Sequence, residues 1–268
     1  MKETFHILNC FTINNLLKGK LRNYNTILFD SNNTCNLHCV YCHNSRTKDQ
    51  VELETFSRFL DKRVKSVRNF QIGCGMEPTM DKRMLDFIQL VSKKAKPTEM
   101  FRIQTNGLLL HKFDATELRE AGINKITISM DTLDPNVHKE LRGNSDIQKI
   151  IDNIKKFQKD WFYLAPIDLI VTVSSKNIHL LDDLMKWAAA NRIQGVELRK
   201  MFHYPDSDVI KNHDTMKDLL ISNEEFLKVS KSLRSVYWHS FSFCINDEEK
   251  LNSYKEKTEY KPQLVDNS

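Results

Sequence analysis

The sequence predicts an α/β fold in which parallel strands alternate with helices. Two observations predict it. Six short apolar runs are separated by longer stretches of helical period. A tight group of cysteines follows directly on the first run, at the strand end where parallel α/β barrels keep their chemistry.

The first strand is predicted over Thr26–Asp30 and the second over Phe70–Cys74, with Phe56, Phe59, Leu60 and Val64 recurring at helical spacing between them. Met84, Phe87, Ile88 and Val91 then mark a helix before a third strand at Phe101–Gln104, which is followed by a fourth at Lys125–Met130. Ile147, Ile150, Ile151, Ile154 and Phe157 predict the helix before a fifth strand, Ile167–Val173. Leu181, Leu184, Met185 and Ala188 do the same before the sixth, Val196–Met201. A loop containing His203-Tyr204-Pro205-Asp206 follows. Ser222-Asn223-Glu224-Glu225 has the form of a capping box and opens a helix to about Leu233. The final stretch, rich in Lys, Glu and Asn, reads as a surface extension or frayed tail.

With 268 residues, 40% hydrophobic and 28% charged, the chain has the composition of one folded domain with a real core, not of a disordered segment. No run of 18 apolar residues occurs, and the first residues lack the form of a secretion signal, so a cytoplasmic protein without a membrane span is expected. Forty basic against 35 acidic residues leave a charge of +5, with lysines spread along helical stretches. That balance suits an anionic small molecule and gives no sign of nucleic-acid binding.

Cysteines stand at 10, 35, 39, 42, 74 and 244, and three of the six fall within eight residues, Cys35-Asn36-Leu37-His38-Cys39-Val40-Tyr41-Cys42. Three thiolates from one loop can hold three irons of a cubane cluster and leave the fourth iron open. The competing readings are a zinc site completed by His38 or His43, although no second cysteine pair supports it, and three buried structural cysteines.

The spacing Cys-x3-Cys-x-aromatic-Cys, with Tyr41 as the aromatic residue, resembles the signature of the radical S-adenosylmethionine (SAM) enzymes. Gly75-Met76-Glu77-Pro78 is similar to that family's Gly-Gly-Glu-Pro motif, with Met76 at the second glycine. Gln104-Thr105-Asn106-Gly107 and Ser129-Met130-Asp131 resemble two further family signatures. The resemblance runs from about Thr26 to Met201 and is strongest to the branch that includes the molybdenum-cofactor GTP cyclase. It implies an open partial (β/α)6 barrel of parallel strands, here with a short C-terminal helical extension. It also implies a single [4Fe–4S] cluster held by Cys35, Cys39 and Cys42, SAM as cosubstrate, and an electron donor such as flavodoxin or ferredoxin. Tyr41, Gly75, Met76, Glu77, Gln104 and Ser129 are the cofactor contacts it implies. Many members of that branch carry further cysteines for auxiliary clusters in a C-terminal extension. After Cys42 this chain has only Cys74 and Cys244.

The expected organisation is therefore an N-terminal extension over 1–25, the barrel over 26–203, and a C-terminal helical extension and tail over 204–268. Strand alternation adds an argument of its own. Ile126, Ile128 and Met130 oppose Thr127, Ser129 and Asp131, and Val196 and Leu198 oppose Glu197, Arg199 and Met201. The apolar lanes belong under helices, so the polar lanes line the interior and predict a polar cavity walled by Gln104, Ser129, Asp131, Asp168, Thr172, Glu197 and Arg199. Position along the strands adds Arg199 and Met201 to the cosubstrate contacts. Asp168, Glu197 and His203, with Tyr204, become candidate catalytic residues for substrate recognition or proton transfer. The alternation of Cys74 with Gly73 and Gly75 turns its side chain toward the helices. The substrate expected is a small polar metabolite such as a nucleotide, nucleoside or sugar derivative. A ribosomally made peptide is the alternative, and a zinc-stabilised binding module the alternative of another class.

Overall fold

The computed structural model describes residues 22–143, 145–161, 166–203, 210 and 213–246. Seven strands form one sheet in the order β1-β2-β3-β4-β5-β6-β7, every neighbouring pair parallel. They are β1 (Arg22–Phe29), β2 (Val64–Ile72), β3 (Met100–Thr105), β4 (Lys125–Ser129), β5 (Ile167–Val173), β6 (Gly195–Lys200) and β7 (Ser242–Asn246). Because each strand pairs with its sequence neighbour, every connection crosses the same face. The twist inherent in strands then curls the sheet into a half-barrel, open between β1 and β7.

The described helices are α1 (Leu53–Arg63), α2 (Met84–Lys94), α3 (Ala115–Glu120), α4 (Pro135–Arg142), α5 (Ile147–Asp160), α6 (Leu181–Ala190), α7 (His213–Asp218) and α8 (Asn223–Tyr237). The helical-period residues of the sequence are their buried stripes: Phe56 and Leu60 on α1, Phe87, Ile88 and Val91 on α2, Ile150, Ile154 and Phe157 on α5. Phe56 stacks on Phe29 of β1 at 4.2 Å between ring centroids and meets Phe87 edge-on at 5.3 Å, which locks α1 and α2 onto the first strands. Each such ring contributes about 1.5–3 kcal/mol by leaving water. That packing holds the strand ends where the cysteine loop begins.

Four expectations are revised. The first strand begins at Arg22, so part of the expected N-terminal extension belongs to the sheet. Val64 is the first residue of β2, since the backbone turns extended as soon as α1 ends. A seventh strand, Ser242–Asn246, follows the last helix where no strand was expected; Phe243 and Ile245 pack on the core while Cys244 is exposed, and the expected tail lies outside the described residues. Three short helices, α3, α4 and α7, were missed. The caps of α3 and α4 are legible in hindsight: Asp114 and Asp134 each accept two backbone N–H groups, and Pro135 opens α4. The capping box holds, since the Ser222 hydroxyl accepts the Glu225 N–H at 3.0 Å, and its helix runs on to Tyr237. Tyr204 and Cys10 lie outside the described residues.

Candidate active site

The carboxyl ends of the strands surround a cavity of about 390 Å³. Cys35, Cys39 and Cys42 line it from the loop after β1, and Gly75, Met76 and Glu77 from the loop after β2. Gln104, Ser129 and Arg199 line it from β3, β4 and β6, Met201 from just past β6, and Tyr41 from the cysteine loop. Every metal or cofactor contact expected from the sequence is thus brought to one place. The candidate catalytic residues are not. Asp168 sits near the start of β5, ion-paired with Lys125 at 2.7 Å, because the second residue of a strand lies at the end remote from the mouth. Glu197 is bound to Arg199 at 2.7 and 3.1 Å, and neither it nor His203 is among the cavity residues.

Of the expected polar wall, Gln104, Ser129, Thr172 and Arg199 face the cavity. Asp131 does not. It is fully buried behind the wall, where it accepts the Tyr41 hydroxyl at 2.6 Å, the Arg142 guanidinium at 2.8 and 3.0 Å, and the Thr172 N–H at 2.8 Å. Below the mouth the polar lane satisfies itself only in part, since the Thr127 hydroxyl and one Asp168 carboxylate oxygen are buried without a hydrogen-bond partner. Arg102 donates to Gln71 at 2.6 Å, and Gln71 donates to Gln104 at 3.2 Å. Burial pulls the Arg102 guanidinium below its usual range. Burial also acts to raise the Glu197 carboxyl, but the bonds and charge of Arg199 and the charge of Arg102 hold it low.

The loop after β2 is shaped from beneath. Asp30, just past β1, accepts the backbone N–H groups of Cys74, Gly75 and Met76 at 2.8, 3.0 and 3.4 Å. Gly73 has φ +85°, and a Cβ there would stand 2.2 Å from the Gln104 carbonyl oxygen, so only glycine fits. Met76 has no positive φ, and the departure from a second glycine costs no backbone strain. Glu77 is buried and its carboxylate accepts from Thr79 N–H (3.2 Å), the Thr79 and Thr105 hydroxyls (2.5 and 2.6 Å) and Asn106 N–H (2.7 Å). Burial lifts its pKa against these four donors. The side chain ties the loop after β2 to the turn after β3. Cys74 lines the cavity instead of facing the helices. Asp30 and Gly73 turn the chain there and end the strand alternation. Burial pushes its thiol up to about 11.

The cysteine loop is fastened at both ends. The Glu77 N–H reaches the Thr34 carbonyl, Asn106 donates to the Asn36 side chain at 2.8 Å, and the Val40 N–H reaches the Leu141 carbonyl at the end of α4. Burial raises the Cys35 thiol and lifts Cys39 to about 11, with Arg142 opposing the latter. Among the described residues no three His, Cys, Asp or Glu side chains converge on a single-ion site. The three thiols instead border one shared cavity, and three soft ligands with an open fourth corner fit a cubane iron–sulfur cluster. Arg142, Asp30, Asn44, Arg46, Lys200, Phe202 and Asn246 are further site residues that sequence reasoning missed. Only Asp30, an acid at a strand mouth, carried a signal. Arg142 lies on an unrecognised helix and Asn246 on an unrecognised strand.

An open parallel half-barrel with a three-thiol loop at its carboxyl mouth defines a class of cluster-dependent α/β proteins. The family model described as the radical SAM superfamily matches residues 31–188. The chain belongs to that superfamily, whose members use a [4Fe–4S] cluster and SAM. It is 30% identical over 162 residues to the probable GTP 3′,8-cyclase of Methanocaldococcus jannaschii, covering 58% of this chain and 52% of that one. Against the GTP 3′,8-cyclase of Alkaliphilus oremlandii it is 28% identical over 224 residues, 79% of this chain and 65% of that one. The chain thus spans about half to two thirds of the length of these curated relatives. Among solved structures, Streptococcus suis SuiB bound to S-adenosylmethionine has a TM-score of 0.67 at 15% identity, covering 89% of this chain and 53% of that chain. The anSMEcpe structure with bound AdoMet and the Cp18Cys peptide has a TM-score of 0.60 at 18% identity, covering 87% and 62%. These structures share the fold. Among the described residues no helix is long and apolar enough to cross a membrane.

Proposed function

We propose that Cys35, Cys39 and Cys42 hold one [4Fe–4S] cluster, and that the chain uses it with SAM to abstract hydrogen from a small anionic metabolite of the nucleotide class. When bound, the reduced cluster supplies the electron that cleaves SAM, and the adenosyl fragment so released takes the hydrogen atom. The observation that carries this reading is the shared cavity, in which the three thiols meet Gly75, Met76, Ser129, Arg199 and Met201. Its volume lies within the roughly 300–1,000 Å³ usual for small-molecule sites.

The residues divide the work by position. Ser129 and Gln104 offer hydrogen bonds from the strand ends. Met76 and Met201 offer apolar contact, and Arg199, oriented by Glu197, offers a fixed cation. Arg46 and Lys200 border the same cavity, so its mouth favours an anionic group such as a phosphate. The name GTP 3′,8-cyclase carried by the curated relatives supports a nucleoside triphosphate as the first substrate to try. A flavodoxin or ferredoxin of the cytoplasm would serve as electron donor.

The test is anaerobic reconstitution with iron and sulfide, reduction in the presence of SAM, and assay of 5′-deoxyadenosine with and without GTP. Substrate-stimulated 5′-deoxyadenosine that disappears in Cys39→Ala is expected. If Cys39→Ala binds iron as well as the parent protein, the ligand assignment fails. If a peptide stimulates the product and nucleotides do not, the substrate assignment fails.

A further inference from the structure

The cysteine loop is anchored to a buried charge pair that the cavity chemistry described above leaves unused. Arg142, the last residue of α4, is 5% exposed and Asp131 is fully buried. They form a two-point ion pair at 2.8 and 3.0 Å, and the same carboxylate accepts the hydroxyl of Tyr41, which lies between Cys39 and Cys42. The Arg142 guanidinium stands 5.8 Å from the centre of the Tyr41 ring, and the neighbouring Leu141 carbonyl accepts the Val40 N–H. Gly143 follows with φ +57° and so little room that a Cβ would come within 2.8 Å of the His38 carbonyl oxygen. Three residues of the loop, His38, Val40 and Tyr41, are therefore held against the end of α4 and the ion pair.

Anchoring alone does not require charge. A buried ion pair is often no more stabilising than well-packed apolar residues of the same volume. What distinguishes this one is its neighbour. Arg142 lines the cavity together with Cys39, and the Asp131 carboxylate stands behind it at 2.8 and 3.0 Å. The potential of an iron–sulfur cluster depends on nearby charge, hydrogen bonding and solvent exposure. A buried cation beside one of its thiolates favours the added electron, and an anion behind that cation opposes it.

We infer that Arg142 and Asp131 are positioning residues for the cluster loop, and that together they set the cluster's reduction potential, Arg142 raising it and Asp131 lowering it. The inference rests on the proposed reading of Cys35, Cys39 and Cys42 as cluster ligands. Tyr41 is the mechanical link, and carries no charge of its own in this role.

The test is the midpoint potential of the reconstituted cluster, followed by electron paramagnetic resonance during a reductive titration, with iron and sulfide content measured on each sample. Arg142→Gln removes the cation and is expected to shift the potential to more negative values. Asp131→Asn leaves the cation unopposed and is expected to shift it to more positive values. Arg142→Lys keeps the charge and is expected to restore the parent potential even if iron loading is reduced. Opposite signs for the first two variants support the inference, because a merely structural role would move both the same way. Where only one of them loads, the sign of its shift decides. Shifts of equal sign or no shift overturn the electrostatic role, and full loading of both variants at the parent potential overturns the positioning role as well. Failure of the parent protein to assemble a [4Fe–4S] cluster would instead sink the ligand reading itself, so the two failures are distinguishable.

Discussion

The carboxylate of Asp30 accepts the backbone N–H of Gly75 at 3.0 Å, and the flanking N–H groups of Cys74 and Met76 converge on the same side chain. A carboxylate at the end of β1 thus dictates the path of the loop after β2. Hydrogen bonds to a charged acceptor contribute about 1.5–3 kcal/mol each where water is excluded. Asp30→Ala is therefore expected to lower stability by about 1–3 kcal/mol, given that the site is only half-buried. It is also expected to weaken SAM binding by about tenfold, since Gly75 and Met76 lose their fixed positions. Denaturant titration and equilibrium dialysis against labelled SAM measure the two effects. An unchanged dissociation constant would mean that the loop holds its shape without Asp30.

The same loop separates two glycines. Gly73 combines a positive φ with a Cβ position 2.2 Å from a backbone oxygen, which cannot move aside. Gly75 has an ordinary φ, and its Cβ would meet only the Asn44 side chain at 3.0 Å. Gly73→Ala is expected to cost more than about 3 kcal/mol or to prevent folding, while Gly75→Ala costs less than about 1 kcal/mol. Thermal unfolding of the pair side by side checks this. Equal losses would show that the strain at Gly73 relaxes.

The helices with long apolar stripes and the first six strands were legible because burial imposes a period on the sequence, and Ile150, Ile154 and Phe157 repeat it. The short helices α3, α4 and α7 were not, since six to eight residues give the helical period too little length, and the edge strand β7 was not, since it is largely exposed and only Phe243 and Ile245 pack on the core. The cavity contacts were legible from motif spacing, which counts residues along strand-to-loop junctions. Asp168 and Glu197 were misplaced for a different reason. Alternation tells which face a side chain takes, and their charge suggested the cavity, but height along a strand decides whether an acid meets a ligand or a neighbouring Lys125 or Arg199. Asp131 was placed in the cavity wall but lies behind it, past the end of β4, because its partner Arg142 comes from an element the sequence hid.

Glu77 illustrates how a motif residue can act through structure. Its four donors saturate the carboxylate, so Glu77→Gln, which exchanges one acceptor oxygen for a donor, leaves one of the buried donors facing an N–H₂ group. A loss of about 1–3 kcal/mol is expected, with a larger loss for Glu77→Ala. Urea midpoints of the two variants measure it. If Glu77→Gln keeps parental stability yet abolishes SAM binding, the carboxylate contacts the cosubstrate directly and the structural role assigned to it is wrong.

Acid sensitivity is expected from His138 on α4. The side chain is fully buried, its Nε2 lies 2.9 Å from the Ser145 hydroxyl, and its Nδ1 has no hydrogen-bond partner. Burial, reinforced by the charge of Arg142, lowers its pKa from 6.5 to about 4. Between those two values the unfolded chain binds a proton that the folded chain refuses, so stability rises with pH across that window and falls on acidification. The stability at stake is roughly 3 kcal/mol, present in full above pH 6.5 and lost progressively toward pH 4. Urea unfolding between pH 7.5 and 4.5 measures it, and the slope attributable to this group is expected to vanish in His138→Gln. Because α4 also carries Arg142 and the anchor for Val40, the first consequence of protonation is expected at the cysteine loop. Hydrogen exchange at the Val40 amide should therefore accelerate on acidification before global unfolding does, after correction for the intrinsic pH dependence of exchange. A Val40 amide that stays protected until the whole chain unfolds would separate His138 from the loop and leave its burial a matter of packing alone.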